Sequence, residues 1–283
     1  MLGLSRIKAK LRMRSAHPAV KFALAARHRL LDTADTLLGR HHDLVPPRSV
    51  VFVGAGDFLG IGREFLNHFR QLGGLRPEDD VLDVGCGIGR MAVPLTEYLS
   101  SAAAYDGFDI VPHGINWCQR TITPRFPNFR FQLADVGNRE YNPGGSVRAE
   151  EFKFPYPDES FDFVFLTSVF THMLPTEVDN YIGEVHRVLR PGGRSLATWF
   201  LLNQDAETLI GGGRSAIEFR HTLPGCAVAN PVVPEEAVAY AESAMLAAYR
   251  RHALELMVPL QYGSWCGRSE YLSYQDICVV RKL

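Results

Sequence analysis

The residues best suited to chemistry are glycines and acids placed at the ends of apolar runs. "VFVGAGDFLGIGREF" (51–65) and "VLDVGCGIGR" (81–90) each pass from an apolar stretch through a glycine-rich turn into what reads as a helix start. Backbone N–H groups at such a turn can cradle a nucleotide-like cofactor. An acid follows each turn after about 20 residues: Asp83 for the first, Asp109 for the second. The loops differ in detail. "GAGDFLG" spaces its glycines G-x-G-x-x-x-G, one residue off the dinucleotide fingerprint. "LDVGCGIG" packs Gly85, Gly87 and Gly89 together and puts Asp83 on the preceding strand. Residues without Cβ let backbone and ligand approach closely.

Such loops act only where strands and helices place them. From about residue 50, short apolar runs alternate with helical stretches, the pattern of an α/β fold. Strands are expected at 80–84, 103–109, 129–134, 161–166, 194–200, 254–260 and 274–281, with helices near 61–72, 89–99, 113–122, 176–189 and 235–252. "FDFVFL" (161–166) is almost continuously apolar, as a central strand buried on both faces should be. "QYGSWCGRSEYLS" is too short for a helical crossover, so the last two strands should pair antiparallel. The expectation is a Rossmann-like, doubly wound sheet of about seven strands, mostly parallel with an antiparallel last strand, helices on both faces. Segments 136–157 and 204–234 exceed ordinary loop length and follow strand ends, which marks them as acceptor-side insertions.

Residues 1–48 read as a separate basic, amphipathic helical arm, and 49–283 as the domain. Arg6, Lys8, Lys10, Arg12, Arg14, Lys21, Arg27 and Arg29 occur with no acid before residue 32, and Leu4, Ile7, Leu11 and Val20, Leu24 recur at helical spacing. Pro18 should interrupt the helix, and "LVPPRS" (44–49) should end it. Such an arm suits either peripheral contact with an anionic membrane or packing on the domain or a second subunit.

Composition excludes several classes. The 283 residues are 46% hydrophobic and 22% charged with a net charge of −1, which offers a nucleic-acid backbone nothing. Five scattered cysteines without C-x-x-C imply neither a disulfide framework nor a cysteine zinc site, and fit a reducing cytoplasm. No apolar run approaches the roughly 20 residues of a membrane span. A cytoplasmic location is expected, with the inner face of the membrane as an option for the arm.

"VLDVGCGIGR" resembles motif I of the class I S-adenosylmethionine-dependent methyltransferases, and further motifs arrive in that family's order. "YDGFDI" (105–110) resembles the second strand and "FQLADV" (131–136) the next element. "FPYPDESFDFVFLTSVFTHM" (154–173) resembles the fourth strand, and "EVHRVLRPGGR" (184–194) the helix and turn before the fifth. The likeness covers about 75–203 firmly and 235–283 more loosely. It implies S-adenosylmethionine as cofactor, held by Asp83, Gly85, Gly87 and Gly89. Asp109 and the adjoining Ile110 would meet the ribose, Asp135 the adenine amino group, Val136 the ring, and the Thr167 carbonyl the methionine amine. Carboxylates accept only, which suits a cationic ligand rich in hydroxyl and amino donors; a pyrophosphate would be repelled by Asp83. Asp109 as a simple turn cap is the alternative, and Cys86 reads as a small filler rather than a nucleophile. The 51–65 segment then lies beside the cofactor's methionine end with Asp57 facing the pocket, or is an ordinary connector.

Methyl transfer to a hydroxyl needs a base. His172 is the candidate, since an imidazole's ordinary pKa of around 6.5 suits proton removal near neutrality; a capping or packing role is the alternative. His221, Glu242 and Tyr156 are candidate acceptor contacts, and Tyr141, Tyr156, Trp199 and Trp265 a candidate stacking wall. "LTSVFTHM" stands where base-modifying relatives carry an N/D-P-P-Y/F tetrad, which disfavours nucleic acid. Resemblance to a bacterial small-molecule and saccharide subgroup implies O-methylation of a saccharide or of a glycosylated or secondary metabolite. No metal-ligand spacing compels a metal, and a homo-oligomer stays open. Methylation at nitrogen or carboxyl is the nearest rival. An NAD(P)-dependent oxidoreductase or epimerase would use "GAGDFLG" but lacks a Tyr-x-x-x-Lys pair. A non-catalytic, methyltransferase-like partner subunit is the third possibility.

Overall fold

A computed structural model describes residues 18–39, 42–54 and 56–283. The arm's basic residues from Arg6 to Arg14, and the apolar spacing of Leu4, Ile7 and Leu11, lie outside the described residues. Helix α1 is described over Pro18–Leu37. Helix α2 (Phe58–Gln71) follows and buries Phe58, Phe65 and Phe69 along one face.

Seven strands make the central sheet: β1 (Val81–Val84), β2 (Tyr105–Asp109), β3 (Phe129–Leu133), β4 (Phe161–Leu166), β5 (Leu189–Trp199), β10 (Leu254–Leu256) and β11 (Asp276–Lys282). Their order is β10-β11-β5-β4-β1-β2-β3. The five early strands run parallel, while β11 is antiparallel to both β5 and β10, as expected. Because β1 neighbours both β2 and β4, chain order reverses there. The crevice at such a reversal is where open α/β sheets bind ligands.

Alternation along the strands loads both faces. Phe163 and Phe165 join one cluster with α2, the short α3 (Ala92–Leu95) and α4 (Pro112–Thr121). Val164 and Leu166 join the other, under α5 (Pro175–Val188). Strand β4 is therefore covered on both sides, the physical reason its sequence has almost no polar residue.

The C-terminal half departs from expectation. Segment 204–234 is no simple loop: it carries α6 (Gln204–Gly211), β7 (His221–Leu223) and β8 (Cys226–Val228). With β6 (Leu201–Leu202) and β9 (Val238–Ala241) these strands form a second sheet, order β6-β9-β8-β7. The helix expected at 235–252 is confined to α7 (Glu242–Arg251). "VAYA" has ample helix propensity, but pairing with Leu201–Leu202 and Ala227–Val228 overrides it. Asp276 joins the sheets. Its fully buried carboxylate accepts from Leu201 N and Trp265 Nε1, both at 2.7 Å, and from Gly263 N at 2.7 Å.

Candidate active site

A cavity of about 2090 Å³ opens at the carboxyl ends of β1, β2 and β4. That exceeds the roughly 300–1,000 Å³ of pockets for single small ligands. Gly85 and Gly87 shape its floor, with φ of 77° and 59°. A Cβ on either would lie 2.5 Å from a valine methyl, of Val169 and Val53 respectively. The loop can hold this turn only with glycine there. Gly89 (φ 81°) closes the turn against α4, where a Cβ would meet Ile122 and Cys118.

Asp109 ends β2 and pins the loop: Gly87 N donates to one carboxylate oxygen at 2.7 Å and Val111 N to the other at 2.8 Å. Burial raises its pKa to about 6, against these backbone bonds. Ile110 and Val136 supply apolar wall beside it, and Thr167 the rim after β4. These residues line one cavity.

Asp83 lies elsewhere. It points beneath the loop into the α2–α4 face, wholly buried, and accepts from Tyr105 Oη at 2.5 Å. Its Oδ1 has no hydrogen-bond partner. Burial pushes its carboxyl up to about 8, opposed by the Tyr105 bond and reinforced by Asp109. Asp83 thus supports the loop from below, where a direct ligand contact was expected. Asp135 is also off the wall. A bridge between Val136 and Val147 brings Ser146 alongside, and the exposed Asp135 carboxylate accepts its hydroxyl at 2.5 Å.

His172 faces the cavity from the short turn Phe170–His172. Its Nδ1 lies 2.8 Å from the Glu235 carbonyl oxygen, so this nitrogen carries the proton and donates. Nε2 is then the basic nitrogen, 3.5 Å from Tyr141 Oη. Asn138 Nδ2 donates to the His172 carbonyl at 3.1 Å. Both Asn138 and Tyr141 come from the 136–157 segment, which thereby lines the cavity beside His172.

The other acceptor candidates are not brought in. His221 is exposed on an edge strand of the second sheet. Glu242 starts α7 and accepts from Asn203 Nδ2 and Tyr262 Oη, each at 2.9 Å. Tyr156 packs edge-on against Phe161 within the core under α5. Trp199 and Trp265 are wholly buried, which leaves Tyr141 as the cavity-facing member of the proposed aromatic wall. Cys86 is buried in the loop and its thiol is pushed well up by burial, consistent with a filler.

"VFVGAGDFLGIG" contributes Val51, Phe52, Val53 and Asp57 to the cavity. It follows α1 and a turn, with no strand before it among the described residues, so it lacks the strand–turn–helix context of a dinucleotide loop. Arg90 Nη2 donates to Gly54 O at 2.8 Å and its guanidinium covers Phe58, fastening this segment to the glycine loop.

Three features were missed by sequence reasoning. Ser168, next to Thr167, holds φ of 62°, rare for a residue with a side chain, and lines the cavity. Its N–H donates to Thr198 Oγ1 at 2.7 Å and its hydroxyl accepts from Gln275 Nε2 at 3.0 Å. Glu177 lines the cavity with its carboxyl raised to about 7, chiefly by burial. Helix α1 brings His28 and Asp32 to the wall, tied through Arg48, which pairs with Asp32 at 2.6 Å and Asp35 at 2.5 Å. No spacing in the sequence signals any of these. Among the described residues, no group of three or more His, Cys, Asp or Glu is placed to hold a metal, and no helix is long and apolar enough to cross a membrane.

Residues 82–197 match a family model described as a methyltransferase domain. A fatty-acid O-methyltransferase of Mycolicibacterium smegmatis is 36% identical over 118 residues, 42% of this chain and 36% of that protein. A 27-O-demethylrifamycin SV methyltransferase of Amycolatopsis mediterranei is 34% identical over 131 residues, 45% of this chain and 41% of that protein. The chain thus spans about two-fifths or less of the length of these relatives. Among solved structures, a SAM-dependent methyltransferase of Methanosarcina mazei shares the fold with a TM-score of 0.50 at 21% identity, covering 74% of this chain and 94% of that one. Segment 82–197 is thus similar in sequence to methyltransferase domains, and the chain shares the fold of a methyltransferase that uses S-adenosylmethionine. The residues present fit S-adenosylmethionine: a cavity-lining glycine loop packed too closely to admit a Cβ, and a buried acceptor-only carboxylate at Asp109 beside it.

Proposed function

We propose that the protein transfers a methyl group from S-adenosylmethionine to a hydroxyl of a small-molecule acceptor, with His172 as general base. When bound, the cofactor supplies an electrophilic methyl and leaves as S-adenosylhomocysteine. Gly85, Gly87 and Asp109 hold and orient it, with Ile110, Val136 and Thr167 around them. His172 Nε2 takes the proton of the acceptor hydroxyl as the new oxygen–carbon bond forms. The observation that carries this reading is the fixed tautomer of His172: Nδ1–H is committed to the Glu235 carbonyl, which directs the basic nitrogen to Tyr141 and the cavity.

The sequence resemblance favours a saccharide hydroxyl or a glycosylated or secondary metabolite. Two relatives carry O-methylation in their names or substrates, one on a fatty acid and one on a rifamycin. Both support oxygen as the methylated atom. The test is mass spectrometry of extracts incubated with the protein and methyl-labelled S-adenosylmethionine. A labelled methyl ether is the expected product; label in a methyl ester, on nitrogen or on carbon, or no transfer, refutes the reading.

A further inference from the structure

The acceptor side of the cavity has walls of definite chemistry. Ala216, Ala229, Val233 and Tyr274, from the second sheet's surroundings, line it without being fully buried by protein. Val51 and Phe52 add a second apolar strip from the segment before α2, again only half-buried. Polar side chains that flank these walls are held by protein partners: Ser215 Oγ donates to Ile217 O at 2.5 Å and Ser273 Oγ to Glu64 Oε1 at 2.6 Å. Asn230 Nδ2 donates to Glu236 Oε2 at 2.8 Å, and its Oδ1 accepts from Val232 N at 2.9 Å. A ligand with many hydroxyls needs a partner for each one that leaves water. The side chains of Ala216, Ala229, Val233, Val51 and Phe52 supply none. An apolar body, by contrast, gains from every part of that surface it covers. The volume also exceeds what a single nucleoside-sized ligand fills.

We infer that the acceptor is an amphipathic alcohol: a hydroxyl presented to His172 on an extended apolar body such as an acyl or polyketide chain, held between the 216–233 wall and Val51–Phe52. This rests on the methyl-transfer reading and narrows it, since a sugar hydroxyl would be accepted only when carried on such a body. The reaction supplying the substrate would accordingly be one that hydroxylates or reduces an acyl-type chain.

The test uses the full chain saturated with S-adenosylhomocysteine and a fluorescent acyl probe, dansylaminoundecanoic acid. Saturable binding is expected, displaced by dodecanol and ω-hydroxydodecanoate and not by glucose or rhamnose in large excess. Ala229→Asp and Val233→Asp should each weaken probe binding by about tenfold or more, because each buries a charge against the apolar body. Affinity for S-adenosylhomocysteine should stay unchanged in both, which also reports that they fold. Displacement by free sugars, or undiminished probe binding in both variants, overturns the inference. Failure of the wild-type protein to bind S-adenosylhomocysteine overturns the cofactor reading instead.

Discussion

The Nδ1 of His172 lies 2.8 Å from the main-chain oxygen of Glu235, a residue outside the matched 82–197 domain. His172 belongs to the matched segment, and its ring is oriented by a residue that directly follows the 204–234 segment. His172→Ala should therefore lower kcat by roughly 100-fold or more, the range of general-base contributions. Cofactor affinity should not change, since neither hydrogen bond by which Asp109 anchors the glycine loop involves His172. Steady-state kinetics with calorimetry on the same variant separates the two; normal turnover would move the base elsewhere.

Asp109 is the second point of leverage. Its carboxylate holds Gly87 and Val111 and still accepts only, so Asp109→Ala should weaken S-adenosylmethionine by about tenfold or more, in line with roughly 1.5–3 kcal/mol for hydrogen bonds to a charged group. The pH dependence has a definite sign. Cofactor binding uses the ionised form, and burial has raised the pKa to about 6. Affinity should fall as pH drops through 6 and level off above 7. Calorimetry at pH 5 and pH 7.5 checks this, and Asp109→Asn should abolish the difference.

Much of this site was legible because it depends on local patterns. The packed glycines 85, 87 and 89 with Asp109 announced the turn and its anchor, and "FDFVFL" announced the central strand. Directions of side chains were not legible. Asp83 sits on the strand face beneath the loop, and one residue of alternation decides between core and cavity. Asp135 was drawn outward by a bridge between residues 136 and 147 that no periodicity reports. The second sheet was hidden because its strands are two to four residues long and "PEEAVAYAESAMLAAYRR" reads as one helix. Ser168 was invisible for another reason: its φ of 62° is imposed by Thr198 and Gln275, both distant in sequence.

Gly87 should be intolerant of a side chain. Gly87→Ala meets two penalties, the positive φ of 59° and a Cβ placed 2.5 Å from Val53 Cγ1. A loss of roughly 1–3 kcal/mol of stability is expected, with weaker cofactor binding because the loop shifts. Adding Val53→Ala removes the contact but not the backbone strain. Urea denaturation should show the double variant recovering part of the loss. Recovery of all of it would mean that the backbone conformation costs nothing.

Asp83 makes the last prediction, on the stability of the free protein. Its pKa rises on folding from 3.8 to about 8, first through burial. The folded state therefore binds this proton more tightly than the unfolded state does. Stability from the protonated form is fully present below pH 4 and is lost as pH rises toward 8, by at most about 1.4 kcal/mol per pH unit. Asp83→Asn cannot ionise and keeps a partner for the Tyr105 hydroxyl, which donates to the carboxylate at 2.5 Å in the wild type. The variant should gain on the wild type steadily between pH 5 and pH 8. Urea midpoints measured across that range, without cofactor, decide it. A difference independent of pH would mean that Asp83 is ionised throughout, and that its partnerless Oδ1 is satisfied in solution by water entering beneath the loop.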